Sequence, residues 1–209
     1  MHRSCRAFLG ALIVAALCGC GENSPPAPGA PTPNVATPTP NLSTKPFVDD
    51  PAQAVVSDAR WASYMQLRLA TIEWTDKVTI FVQFHDKSPP ADEDKNPGDY
   101  MRALATKLGV IKDGVLMVHF ADDPDWRVWI GDDLTPKFVG SPGDAKAFTE
   151  SGAMHEAKEA YLKASMAMAK QRFDTTSKSI TDKDEAARRV LELQADALVY
   201  NLCIKLELK

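Results

Sequence analysis

The alternation of apolar and polar positions is sharpest between Lys112 and Leu134. Gly114-Val115-Leu116-Met117-Val118-His119-Phe120 is apolar at nearly every position. A strand covered by helices on both faces has this pattern. Ala121-Asp122-Asp123-Pro124-Asp125 is turn chemistry, because Pro presets φ and Asp side chains bond nearby backbone. Trp126 to Ile130 returns as a second strand and stops at Gly131. Upstream, Val78, Ile80, Val82 and Phe84 alternate with Thr79, Phe81 and Gln83, which predicts a strand over Lys77 to His85. A polar loop from Asp86 to Asp99 follows. Tyr100, Leu104 and Leu108 then recur at helical spacing, with Pro97 suited to the helix start. Strand, helix, strand implies a parallel pair with a right-handed crossover. The hairpin adds an antiparallel neighbour.

The flanks read as helices. Asp50 or Ser57 can open a first helix whose apolar face holds Val55, Val56, Ala59, Ala62, Leu69 and Ile72, with Trp61, Tyr64 and Trp74 adding bulk. It ends near Thr75-Asp76. Past Gly131 the pattern predicts a short helix over Asp133–Phe138 and a Gly/Pro turn over Val139–Gly143. One long helix then runs from Asp144 to Phe173, with Phe148, Met154, Ala157, Tyr161, Ala164 and Met168 inward. A second begins after Thr181 or Asp182 with a stripe of Val190, Leu191, Ala195, Leu198, Val199, Leu202, Cys203 and Leu206. The expected fold class is α/β: a small mixed sheet, a parallel βαβ unit plus an antiparallel hairpin, covered by helices. Residues 52–140 form the α/β domain, and 141–209 a helical pair packed on it.

The first fifty residues do not fit that scheme. Residues 2–6 carry Arg3 and Arg6, and Ala7 to Leu17 is an eleven-residue apolar core. A bilayer span needs about 20 residues, so 1–19 reads as a secretory signal peptide. It ends Leu17-Cys18-Gly19-Cys20, which resembles the bacterial lipobox and implies lipidation of Cys20 with cleavage before it. Gly21, not Asp, follows. The expected address is the cell envelope, anchored by lipid in the outer membrane and facing the periplasm. Ser24 to Pro51 contains nine prolines and no hydrophobic period. Residues 20–51 therefore read as a Pro-rich tether that builds no core. Cys203 is then the one cysteine of the globular part, expected as a buried, inert thiol.

Charge narrows the partners. The chain carries 24 Lys+Arg against 28 Asp+Glu. Removing Arg3 and Arg6 with the first nineteen residues leaves 22 cations against 28 anions, a net charge of −6. Such a surface has no footprint for nucleic acid. The membrane, through the anchor, and an envelope protein are the expected partners.

Candidate chemistry gathers at the carboxyl ends of the parallel strands, where open α/β sheets bind ligands. His85 and Asp86 end one strand, and His119, Asp122, Asp123 and Asp125 end the other. The carboxylates suit a hard cation such as calcium, and the two imidazoles suit a general acid or base. Asp92 to Asp99 echoes the start of a calcium loop, but Pro97 replaces its Gly and Ala103 its closing Glu. Trp126 and Trp129 lie on opposite faces of one strand, which leaves one of them a candidate for exposure. No nucleophile elbow, P-loop, C-x-x-C or H-E-x-x-H occurs.

Asp113-Gly114-Val115-Leu116-Met117-Val118, followed by Arg127-Val128-Trp129-Ile130-Gly131, resembles the TPM domain family. The upstream strand VTIFVQF and the helix YMRALATKLGV fall where that family has its own. The likeness spans about residues 55–140. It departs in the short link from Gly109 to Gly114 and at Asp132-Asp133-Leu134-Thr135 after Gly131. The resemblance implies a membrane-attached extracytoplasmic domain that maintains or modulates membrane protein complexes. It adds Asp113 to Asp122, Asp123 and Asp86 as candidate calcium ligands. It also implies a second expectation, a metal-assisted acid phosphatase-like hydrolase.

Overall fold

In the computed structural model the described residues are 43–55, 59–96 and 98–209. They lie in one compact unit within residues 40–209. The expected signal peptide, the lipidation site Cys20, most of the tether, and the helix-start candidates Ser57 and Pro97 fall outside them.

The sheet has four strands in the order β1 (Val48–Asp49), β2 (Thr79–His85), β3 (Gly114–Phe120), β4 (Trp126–Ile130). β1 and β3 run parallel to β2, and β4 runs antiparallel to β3. The expected mixed sheet is therefore what the chain builds, and β3 and β4 occupy the residues the pattern predicts. Every residue of β3 is buried, as its continuous apolar run requires. Alternate side chains of β3 meet different helices. α1 (Ala59–Asp76) and α6 (Lys183–Lys205) cover one face, and α2 (Asp99–Lys107) covers the other.

β1 lies inside the stretch expected as tether. Its two residues follow Phe47, whose side chain is fully buried against the Phe81 ring at 5.8 Å. The side chain of Gln66, on α1, accepts from the Phe47 and Val48 amides at 2.8 and 3.2 Å. Proline-rich composition hid this strand because one buried aromatic and one backbone ladder suffice to dock it. Asp50 does not start α1. Its carboxylate accepts from the amides of Ala54 and Val55 at 2.8 and 2.9 Å and closes the turn after β1.

The C-terminal helices also depart from expectation. The single helix from Asp144 divides into α4 (Ala145–Glu150) and α5 (Ala153–Thr176). Gly152 separates them at φ 80°, a left-handed value that only Gly adopts without cost. A short 3-10 turn (Asp132–Leu134) and α3 (Thr135–Val139) lead into α4. α5 buries Tyr161, Ser165 and Ala169 rather than Ala164 or Met168. The small side chains of Ser165 and Ala169 let α6 approach closely. Tyr161 donates its hydroxyl hydrogen bond to the Leu198 carbonyl at 2.7 Å, and Asn201 donates to Ser165 at 3.0 Å. Asp182 caps α6 as predicted, accepting from the Glu185 amide at 2.8 Å.

Candidate functional site

The strand ends do meet, but the register separates their histidines. β2 and β3 align so that Phe84 stands opposite His119 and His85 opposite Phe120. Cross-strand partners share a face and neighbours along a strand do not. His119 therefore faces α1 and α6, whereas His85 faces α2. The expected gathering of two imidazoles does not form, because β3 continues one residue past His119 while His85 ends β2.

His119 is enclosed. It is 5 % exposed and packs 5.3 Å from Trp126 and 6.3 Å from Phe84, ring centroid to ring centroid. Its Nδ1 has no hydrogen-bond partner. Burial pushes its pKa below the ordinary histidine value, and the Asp125 carboxylate offsets that only in part. Burial thus favours the neutral imidazole, walled by aromatics. Trp126 continues the wall and donates Nε1–H to Gln194 of α6 at 2.9 Å. Neither Trp126 nor Trp129 is exposed; they stand 3 % and 8 % open. The hairpin has helices on both sides, so the expectation of an exposed Trp fails.

His85 is half-buried on the opposite face. Its Nε2 lies 3.2 Å from Oε1 of the buried Gln83, and its Nδ1 lies 3.4 Å from the Tyr100 hydroxyl. An amide oxygen only accepts, so Nε2 carries the proton and Nδ1 accepts. Burial is the main cause of its lowered pKa, while Asp49 and Asp86 act the other way. The Phe120 ring beside it carries the Arg127 guanidinium 4.9 Å from its centroid.

The acids hold loops. Asp122 accepts from the Ser88 amide at 2.7 Å and the Ser88 hydroxyl at 3.0 Å, which joins the long loop after β2 to the β3–β4 turn. Desolvation would raise its pKa, but the Ser88 hydrogen bonds prevail and hold it low. Asp123 lies 3.7 Å from Arg127, whose closer partner is Asp94 at 2.8 Å. Asp94 also accepts from the Tyr100 amide at 3.2 Å, so the stretch that echoed a calcium loop ties α2 to β4 instead. Asp86 is exposed. Asp113 precedes β3 and lies about 20 Å from the other acids, the length of a seven-residue strand. Among the described residues, no three His, Cys, Asp or Glu side chains converge as a metal would need.

Sequence reasoning missed a groove on the surface. α1 and α6 run side by side in one direction. Trp61 lies against Asp196, Arg68 against Cys203, and the Lys209 amide donates to Asp76 at 3.1 Å. Between them is an open groove of about 610 Å³. Tyr64, Leu67, Tyr200 and Ile204 line it and are 42 to 60 % exposed. Cys203 also lines it and is only partly buried, not sealed in the core. Burial is still the largest influence on that thiol and raises its pKa. The signal was in α1 itself: Tyr64, Leu67, Thr71 and Trp74 recur at helical spacing off the stripe that faces the sheet.

No family model matches the chain, and no curated protein does either. Two solved structures are similar. One is the solution structure of the N-terminal domain of a protein from P. gingivalis, 17% identical, with TM-score 0.50 over 78% of this chain and 85% of that one. The other is the N-terminal domain of the cg2496 protein from Corynebacterium glutamicum, 13% identical, with TM-score 0.42 over 78% of this chain and 84% of that one. The first likeness establishes a shared fold.

Proposed function

We propose that this chain is a lipid-anchored, extracytoplasmic accessory module of the TPM kind. It is held at Cys20 on the periplasmic side of the outer membrane and supports or modulates an envelope protein complex. The lipobox-like Leu17-Cys18-Gly19-Cys20 and the proline-rich stretch after it support the anchoring. The Asp113–Val118 strand and its Arg127–Gly131 return support the family.

One observation carries the preference for binding over hydrolysis. His119 and His85 face opposite sides of the sheet, and Asp122 is taken up by Ser88. A hydrolase needs its base within hydrogen-bond reach of the group it activates. Asp122 instead joins the β3–β4 turn to the loop after β2, and His85 bridges β2 to α2.

Three measurements test the reading. In cells making the full chain, wild type partitions with membranes and incorporates a palmitate analogue, and Cys20→Ala does neither. The purified chain leaves a generic phosphomonoester unhydrolysed. Hydrolysis lost in His119→Ala or Asp122→Ala, with the fold retained, would instead establish the metal-assisted phosphatase. A Tm that rises with millimolar calcium would establish a cation site in the native state.

A further inference from the structure

Away from the carboxyl ends of the parallel strands, two cations lie against one ring. Arg102 of α2 places its guanidinium carbon 4.9 Å from the centroid of the Trp129 ring, and Lys158 of α5 places Nζ 5.8 Å from it. Trp129 is in β4, opposite Leu116 of β3. Among the described residues, neither cation takes part in an ion pair. The Trp129 indole N–H is closed off from solvent and has no hydrogen-bond partner. Two cations and one buried donor thus share a ring, and no carboxylate pairs with them.

The two cations are not equivalent. Arg102 is exposed, and its guanidinium stays charged throughout the physiological range. Lys158 is partly buried. Loss of water disfavours its ammonium form, and the Arg102 charge disfavours it further, so its pKa falls to about 8. A lysine desolvated beside another cation is an activated nucleophile. The exposed Lys170 differs, because the Asp174 carboxylate at 2.7 Å favours its ammonium form. An electrophile that suits Lys158 is small enough to enter a crowded niche and leaves behind the negative charge that the niche lacks. Carbon dioxide does both. An ester or acyl phosphate would leave a neutral amide, with no charge to set against Arg102.

We propose that Lys158 is a carbamylation site, at which Nζ adds carbon dioxide and the product is held by Arg102 with the Trp129 indole N–H beside it. The nitrogen lone pair forms the C–N bond, one C=O π pair moves onto oxygen, and the surplus proton on nitrogen passes to water. No oxidant, reductant or leaving group takes part. The step replaces an amine that Arg102 repels with a planar anion, for which a guanidinium is the matching bidentate donor. The new pair joins α5 to α2. The modification is independent of the anchor at Cys20 and of the strand-end residues.

Triethyloxonium, which converts a carbamate into its stable ethyl ester, tests the site on the full chain in mild detergent with isotopically labelled bicarbonate. Peptide mass spectrometry should find the labelled ester on Lys158 and not on Lys170. Arg102→Gln should lower that labelling roughly tenfold, the weight of one hydrogen bond to a charged group. Trp129→Phe keeps an aromatic ring, removes the N–H, and should lower it less. Arg102 is exposed, so an unchanged Tm verifies the fold of its variant. An unlabelled Lys158 in wild type overturns the proposal. So does equal labelling of Lys158 and Lys170, which would be unselective chemistry, and so does labelling undiminished in Arg102→Gln. If wild type stays unlabelled while inorganic phosphate raises its Tm and not that of Arg102→Gln, the niche holds a free anion instead.

Discussion

The two faces of the sheet at the carboxyl ends of β2 and β3 differ by a single residue of register. On the α1/α6 face, Phe84, His119 and Trp126 form a closed aromatic wall. On the α2 face, His85, Phe120, Tyr100 and Arg127 form a half-open cluster tied to polar loops. Both faces have one imidazole and two or more rings. The His85 ring has a partner at each nitrogen, Gln83 and Tyr100, whereas Nδ1 of His119 has none. A histidine at a strand end is thus a core residue or a surface residue according to its position in the pleat, and sequence proximity to acids does not decide which.

Phe84→Ala should have the largest effect on this contrast. The ring is fully buried between Trp61, His119 and Trp126. Its loss should cost about 3–5 kcal/mol in urea unfolding. An effect below about 1 kcal/mol would mean that the wall can collapse onto the space. Trp126→Phe comes next. It keeps the ring packing but leaves Gln194 without its donor, at about 1 kcal/mol. If it matched wild type, that hydrogen bond would contribute nothing beyond solvation.

The smallest effect appears only in acid. His119 and His85 both have folded-state pKa values lowered chiefly by burial. The unfolded chain therefore binds protons near pH 6.5 that the folded chain refuses, so stability rises with pH in that window. It is fully present above about pH 6.5 and falls as pH drops toward the folded values. His119→Leu should remove most of that slope and cost little at neutral pH, since its Nδ1 has no partner to lose. His85→Leu should remove less. Equal slopes in the two variants would contradict the difference in enclosure.

Much of the frame was legible in the chain. The seven apolar positions of β3 required cover on both faces. The return over Trp126–Ile130 required a hairpin, and Asp182 before an apolar stripe marked the start of α6. Each signal is local, read within one element or one turn. β1 was not legible, because Phe47 docks against Phe81 and a lone aromatic in a proline-rich run has no period. The break at Gly152 was hidden because the apolar spacing continues across it and one left-handed residue leaves no mark on that spacing.

Residue order by itself determined β2, β3, β4 and α6, the parallel pairing of β2 with β3, and the apolar stripes that had to be buried. These follow from side-chain period and backbone preference within short windows. Only the tertiary structure decided which face each histidine took, which partner each strand-end acid kept, and which apolar stripe of α1 stayed uncovered. Those outcomes depend on register and on how far α1 and α6 stand apart. Both are set by packing between segments distant in the chain, where a shift of one residue or a few ångströms changes the neighbour entirely.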